Sequence, residues 1–154
     1  MQKWLRQLSC YPWLIFGVAV MGTFMAVLDS NIVNVALPVI AASLHVELAV
    51  VQWVVMAYLL IITILLPIFG RIGDLYGRRR IFLLGFIIFT VGSLLCSISY
   101  SIWSLVLARV VQGGGASMLM ANAPAIVGVT FPGKERGRAL GMIGAVVALA
   151  SMVG

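Results

Sequence analysis

The sequence predicts an all-α membrane protein with about five spanning helices, and three observations carry that prediction. Hydrophobic residues fill 63% of the chain and charged residues only 9%, against about half and about a quarter in soluble domains. A mean hydropathy of +1.17 leaves too few polar groups to cover a water-exposed surface. Several apolar stretches reach the roughly 20 residues that a bilayer core requires. They are continuous, without the alternation that a membrane strand needs. In lipid every backbone polar group has to be paired inside the protein, so such spans are helices.

A short arm, residues 1–10, comes first and holds Lys3 and Arg6. A basic start before an apolar run imitates a secretory signal. The run at 11–42 is too long for one, contains Asp29, and is followed by no A-x-A cleavage pattern. It reads as a retained helix of roughly 48 Å, longer than the membrane is thick, so a kink or an extension beyond the bilayer is expected near Pro38. The next three helices fall at about 50–70, 81–99 and 102–127. The fifth, 139–154, gives roughly 24 Å of helix against a hydrocarbon core of about 30 Å. It is therefore expected to stop inside the membrane. Residues 11–154 read as one incomplete bundle, from a truncated product or a fragment.

Charge placement gives the topology. Of ten Lys and Arg, nine lie in the arm, between helices 2 and 3, or between helices 4 and 5: Lys3, Arg6, Arg71, Arg78, Arg79, Arg80, Lys134, Arg136 and Arg138. The connections after helices 1 and 3 carry none. The positive-inside rule then puts the N-terminus in the cytoplasm. This accounts for the net charge of +6 without a nucleic-acid partner. Trp4, Trp13, Trp53 and Trp103 sit near helix ends, the level at which indoles settle. Cys10 and Cys96 form no C-x-x-C, and His45 has no ligand-type neighbour, so neither a metal site nor a cofactor is expected.

Ionisable groups inside the spans carry the chemistry. Asp29 lies near the middle of helix 1, where a carboxylate costs about 2.5–3.5 kcal/mol even on the lenient insertion scale. It is a candidate proton carrier facing a cavity; a buried ion pair or a backbone-bonded Asp is the plainer alternative. Arg109, the tenth cation, lies about seven residues into helix 4. It is expected to sense Asp29 across a polar cavity, unless it snorkels to the headgroups. Gln112, three residues on, shares its face, and Asn34 on helix 1 joins the proposed cavity lining. The segment G-R-I-G-D-L-Y-G-R-R-R, from Gly70 to Arg80, mixes four cations, one acid and three glycines. It is expected to be a structured gating loop whose glycines permit tight turning, with Gly70, Asp74, Gly77, Arg78 and Arg79 as its working residues. It lacks the G-K-[ST] ending of a phosphate cradle. Small residues cluster in helix 4, at Gly113, Gly114, Gly115, Ala116 and Ser117, and recur at four-residue spacing in helix 5: Gly137 with Gly141, Gly144 with Ala148, and Ala150 with Gly154. They suit close helix packing, either static or rocking. No nucleophile–base pair is visible, so an enzyme is not expected.

Four segments resemble one family. Gly70, Asp74, Gly77, Arg78 and Arg79 match the cytoplasmic-loop pattern G-x-L-a-D-r-x-G-r-k of the major facilitator superfamily. Ile72, Gly73 and Leu75 stand where Leu, Ala and Arg are usual. L-D-S-N-I-V-N-V-A-L-P (Leu28–Pro38) resembles the helix 1 signature of its fourteen-helix drug:proton antiporters, with Asn31 for the usual Thr. Q-W-V-V-M-A-Y-L-L (Gln52–Leu60) resembles the opening of their helix 2. R-V-V-Q-G-G-G-A-S (Arg109–Ser117) resembles their helix 4 motif, and the helix 5 antiporter signature is only begun at Ala150 and Gly154. The resemblance implies the N-terminal bundle of a multi-pass transporter of the cell inner membrane, driven by the proton gradient and exporting amphipathic small molecules. It gives Asp29 and Arg109 proton-coupling and cavity roles, and makes Asp74 with its basic neighbours a cytoplasmic latch. The implied partners are the bilayer, protons, a small-molecule substrate and the remaining transporter helices. A metabolite transporter of the same fold and a non-transporting truncated fragment stay open as alternatives.

Overall fold

The computed structural model describes residues 11–131 and 133–153, apart from the side chains of Tyr11, Lys134 and Val153. The basic arm with Lys3, Trp4 and Arg6, together with Cys10, lies outside the described residues. Five helices follow one another: α1 (Tyr11–Leu44), α2 (Leu48–Tyr76), α3 (Arg78–Ser97), α4 (Ile102–Thr130) and α5 (Gly133–Val153). Four of them, α1 to α4, are long and apolar enough to cross a membrane.

The helices outrun the apolar stretches that announce them. A helix satisfies its own backbone, so nothing obliges it to stop where the oil stops. α1 runs unbroken past Pro38 to Leu44. It ends with His45 at φ 52° and a hydrogen bond from Val46 N–H to the Ala41 carbonyl (3.1 Å), the wrapped geometry of a helix C-terminus. α5 begins at Gly133, six residues before the expected start, because its charged first turns are helical too.

The largest correction concerns the segment from Gly70 to Arg80, expected as a loop. It is helical on both sides of Gly77. Gly70 and Gly73 lie inside α2, and Arg78, Arg79 and Arg80 form the first turn of α3. Only Gly77 turns, at φ 101° and ψ 114°, a conformation that L side chains rarely adopt.

Two apolar clusters hold the helices together. The larger joins Phe16, Ala19, Tyr58, Phe82, Phe89, Leu119, Ala123 and Phe131. The smaller joins Ala41, Val51, Val54 and Ile102 near the turns after α1 and α3. α4 lies at the centre and touches all four other helices. Its closest approach is to α3, where glycines let the backbones meet. A Cβ on Gly115 would collide with the Phe89 backbone, and one on Gly92 would lie 2.6 Å from Gln112 Cα. The expected small-residue seam of helix 5 is not used in the same way: a Cβ on Gly137, Gly141 or Gly144 would meet nothing within 4 Å.

Candidate functional site

One end of the bundle gathers its cations. Arg79 lines a cleft with Leu14, Ile15 and Ile126. Trp13, Phe16 and Phe131 stack edge to face at 5.4–6.0 Å, and Glu135 and Arg138 line a small cleft beside Trp13 and Phe131. The start of α1, the α2–α3 break and the α4–α5 turn therefore share one end, as alternating spans demand.

At that end Asp74 and Arg78 form an i,i+4 pair across Gly77. Arg78 Nε donates to Asp74 Oδ1 at 2.7 Å, and Nη2 lies 2.7 Å from the same oxygen. An exposed pair of this kind contributes only about 0.2–1 kcal/mol. Its consequence is geometric, because Arg78 Nη1 also donates to the Ala125 carbonyl of α4 at 3.1 Å. The α2–α3 break is thereby tied to the central helix. Gly77 and Arg79 are exposed, and Gly70 is half-buried without a close neighbour.

Asn122 is a member of this end that sequence reasoning missed. It is fully buried on α4. Its Nδ2 donates to Met118 O on its own helix at 2.9 Å and to Phe69 O on α2 at 3.4 Å. Its Oδ1 has no partner among the described residues and faces Gly73, where an added Cβ would collide with it. Gly73 replaces the usual alanine because the space of that methyl is filled by Asn122. The available signal was an amide in an apolar helix, where polar groups are expensive.

Deeper in the spans, between the two apolar clusters, the structure brings Asp29, Arg109 and Gln112 together. Arg109 Nη1 donates to Asp29 Oδ2 at 2.5 Å, and Gln112 Nε2 donates to Asp29 Oδ1 at 3.0 Å. Arg109 thus pairs inward and does not snorkel. The pair is well shielded, with side chains 6% and 21% exposed. The cost of taking two charges out of water is offset only where geometry and extra hydrogen bonds are good, and here the carboxylate has a donor on each oxygen. Cys96 Sγ approaches Gln112 Oε1 at 3.5 Å, which orients the amide so that its NH2 faces Asp29. Tyr58 on α2 lies beneath Arg109, with Cζ 5.5 Å from the ring centre.

Asn34 does not join them. It lies five residues from Asp29, about 140° around the helix, is exposed, and makes no hydrogen bond among the described residues. Its neighbour Asn31 instead donates to Ala150 O on α5 at 3.5 Å. Chemically, the deep site offers one carboxylate, a fixed cation beside it, and an amide that donates to the carboxylate. Arg109 Nε is buried and has no partner among the described residues, so the guanidinium keeps a donor in reserve.

Comparison with known proteins gives the family. A sequence model described as Major Facilitator Superfamily matches residues 19–154. Over 142 residues the chain is 44% identical to the riboflavin transporter RibZ of Clostridioides difficile, covering 92% of this chain and 31% of that protein. It is 38% identical over 141 residues to the multidrug transporter protein MdtP of Bacillus subtilis, covering 92% and 26%. It is 36% identical over 142 residues to a probable actinorhodin transporter of Streptomyces coelicolor, covering 92% and 25%. The chain spans between a quarter and a third of the length of these relatives. With the match covering nearly all of its spans, the chain belongs to the Major Facilitator Superfamily.

Proposed function

We propose that this chain supplies the first five helices of the N-terminal bundle of a proton-coupled exporter of drugs or other amphipathic small molecules. The observation that carries the reading is the Asp29–Arg109–Gln112 network. A carboxylate within a span is expensive, and residues of this kind mark proton or substrate pathways. Asp29 takes up a proton when its side of the cavity faces the more acidic compartment and releases it when the cavity opens the other way. Arg109 pairs with the ionised carboxylate, and Gln112 can donate to the carboxyl in both forms. The proton gradient supplies the energy, without a bound cofactor.

In this reading the cation-rich end and the N-terminus face the cytoplasm, as the positive-inside rule favours, and the transporter works in the inner membrane. There Asp74, Arg78 and the Ala125 carbonyl form a latch that favours one of two rocking states. The relative named as a multidrug transporter supports export. The 44% identity to a riboflavin transporter favours a second reading, a metabolite carrier of the same fold.

The test is dye efflux from cells expressing the complete transporter, with and without collapse of the proton gradient. Gradient-dependent efflux that Asp29→Asn abolishes supports the proposal. Efflux that persists at full rate in the variant removes Asp29 from the mechanism. Transport of a vitamin-like metabolite without dye efflux favours the second reading.

A further inference from the structure

The deep network contains one residue whose part is not explained by pairing Asp29 with Arg109. Tyr58 is 2% exposed, and its hydroxyl donates to the Ala26 carbonyl at 3.0 Å. A buried hydroxyl is costly without a partner, so the bond is what makes a tyrosine acceptable there. It also fixes the ring. Ala26 lies three residues before Asp29 on α1, so the ring is anchored to the helix that carries the carboxylate while it lies beneath the cation of α4. One side chain on α2 thus registers both halves of the ion pair.

The ring lies at an informative distance. A cation is attracted by an aromatic face within about 6 Å of its centre, and Arg109 Cζ stands at 5.5 Å, close to that limit. A shift of the guanidinium toward the ring would strengthen that attraction. While Asp29 is ionised, the carboxylate holds the cation. When Asp29 takes a proton from the aqueous side, the charge facing Arg109 disappears and a cation 5% exposed is left to find another partner.

We propose that Tyr58 is a positioning residue whose ring, held in place by the Ala26 carbonyl, is the alternate resting place of the Arg109 cation when Asp29 is protonated. This rests on the proton-coupling reading given above. The ring lowers the cost of leaving Arg109 without its carboxylate, and so favours proton uptake by Asp29. The groups facing the pair are few. α1 and α4 contribute the pair itself and Gln112, α2 contributes Tyr58, and α3 contributes Cys96 through Gln112. α5 meets α1 near the site at Ala150, whose carbonyl accepts from Asn31.

The experiment follows the protonated-carboxyl band of the full 154-residue chain in lipid nanodiscs by infrared difference spectroscopy across pH. The band is assigned by its loss in Asp29→Asn. Position 58 is then occupied by tyrosine, phenylalanine, and a series of increasingly fluorinated phenylalanines, which keep the ring's shape while making its face less negative. Phenylalanine loses the bond to the Ala26 carbonyl and sets the reference titration midpoint for the series. The fluorinated series should lower it progressively, by about half a unit to one unit at the end, from the strength of a desolvated cation–ring contact and 1.36 kcal/mol per unit. Tyr58→Leu supplies the ringless limit, but the fluorinated series does not depend on it. A band that titrates with a midpoint unmoved by fluorination overturns the role of Tyr58 and leaves proton coupling standing. A carboxyl that never titrates overturns both.

Discussion

Asp29→Asn is the most informative single change. It removes one charge from a pair whose side chains are 6% and 21% exposed and leaves Arg109 facing an amide. Breaking a buried pair by removing one partner costs about 3–5 kcal/mol. Two features reduce that figure. The new amide oxygen still accepts one hydrogen bond from Arg109 or Gln112, worth about 1 kcal/mol, and the partial exposure of position 29 lets solvent screen the remaining charge. The expected loss is about 2–3 kcal/mol. Arg109→Gln should lose a similar amount, because it leaves the carboxylate uncompensated. The double variant leaves neither charge, so its loss should fall short of the sum by about 1.5–3 kcal/mol. Reversible unfolding of the chain in mixed micelles, followed by circular dichroism, measures all three. Additivity within about 0.5 kcal/mol would refute the reasoning, because it would mean that the two charges do not feel each other.

Three further outcomes follow from the packing. Gly73→Ala should destabilise the α2–α4 contact by about 1–3 kcal/mol through overpacking against Asn122, and Asn122→Ala in the same chain should recover most of it; the same unfolding assay reads both, and a double variant as unstable as Gly73→Ala would contradict the steric match. Gly115→Ala should cost about 1–3 kcal/mol because the new methyl meets the Phe89 backbone, whereas Gly144→Ala, with open space around it inside a helix, should be neutral or stabilising by up to about 1 kcal/mol. Equal effects at both positions would show that the α3–α4 approach is looser than described. Gly77→Ala should cost about 1–3 kcal/mol from its φ of 101°; a neutral result would mean that the α2–α3 break relaxes without strain.

Asp29 and Arg109 were legible because a charge in an apolar run has few places to go. Their spacing along two helices does not state a distance, but the cost of leaving either unpaired does most of the deciding. Gln112 follows from sharing a face with Arg109, whereas Asn34 shares only the helix of Asp29 and lies about 140° around it, apart from the network. The three glycines between positions 70 and 77 look alike in sequence and differ in structure. Gly77 serves a backbone angle, Gly73 makes room for Asn122, and Gly70 meets no close neighbour. Such differences are set by tertiary partners that local sequence does not name. Tyr58 offered a weak signal of its own: tyrosines in membrane proteins favour the headgroup level, and this one lies ten residues inside α2. Helix ends were the least legible feature, since hydropathy reports where oil ends and the backbone reports where turning becomes necessary. Small residues mark packing surfaces on helices 4 and 5 alike, and the close seam forms on α4, where Gly115 meets α3.

The central claim is that Asp29 carries the proton exchanged for substrate. The direct measurement is proton flux into a pH-sensitive dye trapped in vesicles reconstituted with the complete transporter, recorded as substrate is added. The account predicts a substrate-driven pH change in the wild type and none above background in Asp29→Asn, with the variant still inserted and still binding substrate. An equal pH change in both proteins would contradict it.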